Sequence, residues 1–163
     1  MRHHHLFSLL LLLVAAHSTM LSQSRNHILL EIGGYGIHYS VNYQRVLKQS
    51  HGRQFEGRIG TCILPIGIGI PAALGFVLRP GPHKLQFSLG GNVFVDTRQF
   101  GGTDIFLYLG TALGYRFEPG NQLWYVFASV NPMLKTDPTP HRLIDPDPIG
   151  ILSGGLGIGW KLK

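Results

Sequence analysis

The chain carries little charge. Asp, Glu, Lys and Arg make up 13% of its 163 residues, about half the usual share of a soluble domain. Its net charge of +6 comes from cations scattered one or two at a time. The clustered basic stripe that nucleic-acid binding requires is missing, so no nucleic-acid partner is expected. Cysteine is nearly absent. Cys62 stands alone, which excludes an internal disulfide, and no cysteine lies just after the apolar N-terminal segment, as a lipid-anchored exported protein would need. His, Cys and carboxylates never fall at metal-ligand spacing, so neither a metal nor another cofactor is expected. Helical periodicity is missing too: beyond the N-terminal segment, no stretch repeats apolar residues at three- and four-residue steps over three turns.

The N-terminal segment is a separate matter. Residues 6–16 are apolar apart from Ser8, a run too short for a spanning helix, which takes about 18 to 20 residues. Arg2 and His3-His4-His5 precede it, and the small residues around Ala16-His17-Ser18 and Met20 to Ser24 follow it. That order is the signature of a signal peptide over residues 1–22, with cleavage between 18 and 24. The histidine triplet invites a metal or tag reading, but it sits in the part that cleavage removes. One domain, residues 26–163, is then left.

What this domain has in quantity is glycine, 22 residues in the whole chain, and alternation with period two, the signature of strands with two unlike faces. Tyr35, Ile37, Tyr39, Val41 and Tyr43 alternate with Gly36, His38, Ser40, Asn42 and Gln44. Similar runs occupy 54–63, 70–78, 85–96, 105–117, 124–131 and 152–162. Short Gly-, Pro- and polar-rich connections lie at 48–53, 79–84 and 118–122, and a longer Pro- and Asp-rich loop lies at 133–148. In an outer-membrane barrel the short turns face one side with both termini and the long loops face the other. Counting back from the C-terminus, 35–47 must descend, so another strand must rise before it. Residues 26–32 supply it, with Ile28, Leu30 and Ile32 on one face and Gly33-Gly34 as the turn. The expected fold is all-β: an eight-stranded antiparallel up-and-down transmembrane β-barrel.

The polar face separates this barrel from a soluble sandwich or an exported lipocalin-like ligand-binding barrel. A soluble sheet would show water Lys, Glu, Arg and Thr; here the face is mostly Gly, Ser, Asn, Gln and Ala. Those residues suit the crowded interior of an eight-strand tube, too full for a diffusion channel. The apolar face is then expected to meet outer-membrane lipid. Tyr43, Phe55, Phe76, Tyr115, Phe117, Trp124 and Trp160 are expected at strand ends, as an aromatic girdle at the membrane boundary. Residues 59–78 carry no charge and could pass for a spanning helix on hydropathy. Pro65, Pro71 and four glycines make that helix poor, and two strands fit better.

Few residues point to chemistry. Glu31, Glu56, Arg58, Arg116 and Lys161 fall on the inward face, with Asp96 near a strand end. Buried charges must be paired, so these are expected to form a lumen network, and structural filling accounts for them better than catalysis. His38 and Ser40 fall two residues apart on one face, where they could share a proton. Lipid A deacylases of the membrane-barrel type use an H-x-S pair, but on a later strand and facing lipid. The glycine-rich stretch 154–159 lacks the helix and the Lys that a phosphate loop needs, so close packing explains it better. Cys62 reads as a small lumen filler.

Several short patterns span the domain: Glu31-x-Gly33-Gly34, Tyr39-Ser40-x-Asn42-Tyr43-x-Arg45, Leu64-Pro65, Ile70-Pro71-x-x-Leu74-Gly75, Leu109-Gly110-x-x-x-Gly114-Tyr115-Arg116 and Asn131-Pro132. On these the chain resembles the small, mostly uncharacterised outer-membrane β-barrel proteins of Gram-negative bacteria. It departs from them in ending Trp160-Lys161-Leu162-Lys163, where such barrels end in an aromatic residue. The resemblance implies an outer-membrane location, contact with the barrel-insertion machinery during assembly, and a structural or surface-interaction role without catalysis, leaving any external partner unknown. The alternatives are a lipid-modifying enzyme and the soluble exported barrel.

Overall fold

The computed structural model describes residues 25–64, 67–78, 81–96, 104–120, 122–136 and 149–162. The expected signal peptide lies outside them, as does 137–148. Eight strands follow one another: β1 (Asn26–Gly33), β2 (Tyr39–Ser50), β3 (Arg53–Leu64), β4 (Gly67–Leu78), β5 (His83–Asp96), β6 (Asp104–Phe117), β7 (Trp124–Thr136) and β8 (Ile149–Leu162). Each pairs antiparallel with its chain neighbour, and β8 pairs back onto β1, so the sheet closes into an up-and-down barrel. Of the uncharged segment 59–78, residues 59–64 end β3 and 67–78 form β4, and among the described residues no helix is long and apolar enough to cross a membrane.

Period-two alternation decides which side chains enter the tube. In β4, Pro71, Ala73, Gly75 and Val77 are buried while Ile70, Ala72, Leu74, Phe76 and Leu78 are exposed. β1 is a true strand, with His27, Leu29 and Glu31 inward. Two small apolar clusters sit within the tube: Tyr35, Ala73, Ala112 and Met133, and Leu29, Tyr125 and Phe127. The glycines of β8 make room for the second. A Cβ on Gly157 would run into the Phe127 ring and one on Gly159 into Tyr125, so close packing does account for the glycine-rich stretch. Cys62 is buried against Asn92, whose amide lies 3.6 Å from its sulfur.

Three boundaries differ from the sequence expectation. Residues 35–38 are not strand. Gly33 and Gly34 take φ of 78° and 63°, a region open to glycine at little cost, and turn the chain inward into a single 3-10 turn, Gly34–Gly36. Tyr35 is therefore fully buried inside the barrel rather than displayed outside it. Secondly, the connection expected at 48–53 is mostly strand, since β2 runs on to Ser50 and β3 starts at Arg53, and β2 carries a bulge between Val46 and Lys48. The extra residue shifts the alternation, and Lys48 comes to lie opposite the outward-facing Phe55. Thirdly, β7 continues to Thr136, so Met133, assigned to the loop, is a buried lumen residue.

Candidate functional site

Three inward-facing carboxylates, Glu56, Glu31 and Glu118, are in ion pairs, and a fourth, Asp96, is buried at the end of β5. Glu56 on β3 and Arg116 on β6 are each 2% exposed and form a two-pronged pair, with Nη1 donating to Oε1 at 2.9 Å and Nη2 to Oε2 at 2.7 Å. The amides of Gln44 and Gln54 donate to the same carboxylate. Arg116 Nη2 also donates to Gln86 Oε1 at 2.9 Å, and its guanidinium lies 4.5 Å from the centre of the Tyr125 ring. Tyr125 in turn donates to Gln44 Oε1 at 3.2 Å. Fixed donors around the carboxylate offset the cost of taking both charges from water.

Above this layer, Glu31 of β1 pairs with Arg58 of β3 at 3.2 Å. The Arg58 guanidinium lies 5.4 Å from the ring of Tyr35, whose hydroxyl crosses the tube to donate to Ser88 O at 3.0 Å. The 3-10 turn is thus a stopper held from the opposite wall. A void of about 10 Å³ between Arg58, Gln86, Ser88 and Ser129 has room for roughly one water.

The third carboxylate is Glu118, just past β6. Lys84 and Lys161 both contact it, closing the tube at the end that holds the short turns. Burial pushes its pKa up, but hydrogen bonds from Lys161 and Lys84, with their charges, more than offset this and hold it at about 2. Of this cluster only Lys161 was expected in the network, since Lys84 and Glu118 read as turn residues. The signal was available: both continue the inward parity of β5 and β6 by one step. All five network residues expected from the sequence are ion-paired, but as separate layers, Glu31 with Arg58, Glu56 with Arg116, and Lys161 with Glu118.

His38 and Ser40 do not share a face. His38 lies in the turn before β2, exposed, with Nδ1 3.1 Å from Ile37 O. Ser40 is buried in β2, where its hydroxyl accepts from Asn42 Nδ2 at 2.8 Å. The inward-turning glycines break the alternation that had put the pair together.

The outside of the wall is the opposite of the lumen. Leu152 is 75% exposed, Ile63 71%, Leu156 64% and Leu89 63%, while the buried side chains include Asn42, Gln44, Asn92 and Asn131. All seven expected aromatics lie on the outer face. Phe55 faces Phe76, which faces Phe87, and Trp124 faces Trp160. Tyr43 is not at the end of its own strand, since β2 runs on to Ser50. It joins the band because its register partner Ile28, which also faces Trp160, is near the start of β1. His83 belongs to the band as well, hydrogen-bonded to Tyr115 and with its ring 5.3 Å from that of Phe117.

Comparison with known protein families, characterised proteins and solved structures finds no match.

Proposed function

We propose that this chain is an outer-membrane β-barrel protein of a Gram-negative bacterium, exported by a signal peptide over residues 1–22, with a structural or surface-interaction role. The observation that carries the reading is the inverted distribution of polarity: large apolar side chains are exposed all round the wall, and amides and paired charges fill the tube. In water such a wall would be an aggregation surface. In a bilayer it is the favoured arrangement, because the closed ladder satisfies the backbone and the apolar face meets acyl chains. The aromatic band marks where that face would meet the headgroups. Connections at the far end from the termini would make the contacts outside the cell.

The role is non-catalytic in this reading. Glu31, Glu56 and Glu118 are each held by a cation, and of His38 and Ser40 one faces out and the other in. Fractionation and a gel of boiled and unboiled protein test the assignment. The mature protein should pellet with membranes, resist an alkaline carbonate wash and run at a shifted position when unboiled. Recovery in the soluble periplasmic pool without detergent would overturn the reading.

A further inference from the structure

The outer wall carries a groove of about 780 Å³ across β2 to β6, floored by Gly57 and Ala72 and walled by larger side chains such as Ile59, Leu74 and Leu109. Its lining is apolar apart from Arg58, whose guanidinium is turned inward to Glu31, and Arg45, which lines it beside Tyr43 on β2. Arg45 is level with the aromatic band, because its register partner is Asn26, two residues from Ile28, the partner of Tyr43. Two more cations join Arg45 on the same face of the β2–β3 hairpin. The bulge after Val46 turns Lys48 outward beside Phe55, and Arg53, exposed and opposite Ser50, continues the outward parity of β3. Without the bulge Lys48 would point into the lumen. Among the described residues, the acids at this end of the barrel, Glu56 and Glu118, are buried, so the charges described on the outer face of this hairpin are cationic.

We infer that this hairpin and groove form a binding site for an anionic glycerophospholipid, its phosphate and headgroup at Arg45, Lys48 and Arg53 and one acyl chain along the groove over Gly57 and Ala72. The inference rests on the membrane reading above and makes it specific. Two features point to this occupant. The cations sit at the boundary depth where headgroups lie, and the groove leads from them into the apolar band, as a lipid's own polarity requires. Each surface cation favours an anionic headgroup by roughly fivefold, less at high salt.

Native mass spectrometry of the barrel in neutral detergent, with equal amounts of phosphatidylglycerol and phosphatidylcholine, reads the preference directly. The wild type should retain phosphatidylglycerol several-fold over phosphatidylcholine, and the preference should fall as salt rises. The R45Q/K48Q/R53Q variant should lose it, and the exposed single changes Lys48→Gln and Arg53→Gln should each weaken it with the heat-shifted band intact. Ala72→Phe, which fills the groove, should lower retention of both lipids. Equal retention by the wild type, or an undiminished preference in the triple variant, overturns the inference and leaves the membrane assignment standing. Failure of the wild type to enter vesicles of the two lipids overturns the assignment and the inference with it.

Discussion

Replacing Arg116 by Met should destabilise the barrel by about 3 kcal/mol, and the figure follows from what the change leaves behind. Arg116 and Glu56 are both 2% exposed and joined by two hydrogen bonds of 2.9 and 2.7 Å. Removing one member of a buried pair costs about 3–5 kcal/mol, because the other charge stays desolvated. Glu56 keeps the Gln44 and Gln54 amides as donors, which puts the cost at the low end. Glu56→Gln alone leaves Arg116 with Gln86 and the Tyr125 face and should cost a similar amount. The double change removes both charges, and its cost should fall below the sum of the singles by about 1–3 kcal/mol. Urea unfolding in detergent, followed by the fluorescence of Trp124 and Trp160 and by the unboiled gel band, measures all three. A loss under about 1 kcal/mol for Arg116→Met, or strict additivity, would refute the claim that this pair is held out of water.

Glu118→Gln should lower stability at neutral pH and change the acid response. The folded pKa of Glu118, about 2, lies below the ordinary carboxylate value of 4.5. Its contribution is therefore present above about pH 4.5 and lost as pH falls toward 2; the variant should show a flatter stability profile through that window. Gly159→Val should cost about 1–3 kcal/mol by overpacking against the Tyr125 ring, whereas Gly150→Val, where a Cβ meets nothing within 4 Å, should be nearly silent in the same assay. Ile37→Gly should be at least as stable as the wild type despite losing a large apolar side chain, since Ile37 holds a φ of 68° that a β-branched residue adopts only under strain. A loss above about 1 kcal/mol would show that its contacts outweigh that strain.

The wall was legible from the sequence because a closed barrel asks little beyond alternation. From Gln54 onward the inward and outward sets follow parity along the strands, save at Thr136, which is buried at the end of β7, and Glu31, Glu56, Arg58 and Arg116 fell into the lumen by that rule alone. The rule failed where the backbone departs from β geometry without a change in side-chain pattern. Tyr35 and Ile37 continue the apolar alternation, yet positive φ at Gly33 and Gly34 folds them inward and frees His38 from the strand. At 48–53 a run of polar and charged residues reads as a connection, yet all but residues 51 and 52 are strand, and nothing along the chain marks the bulge that turns Lys48 outward. Glu118 and Lys84 were missed for the opposite reason: their parity fits the lumen, but charged residues beside Gly and Pro look like solvated turns, and it is the contacts of Lys84 and Lys161 with Glu118 that take them out of water. Pairing between distant segments is a property of three dimensions that spacing along the chain does not carry.

The seam between β1 and β8 has a consequence for how this hoop is made. Asn26–Gly33 finds one of its two neighbours in β2, a few residues away, and the other at the far end of the domain in Ile149–Leu162. Until those distant segments meet, the growing sheet has two raw edges, each a row of unmet hydrogen-bonding groups open to any other strand. Shutting the ring removes both at once, and the clasp of Lys161 on Glu118 lies beside the join. A chain cut short before β8 would keep seven strands and lose this protection entirely.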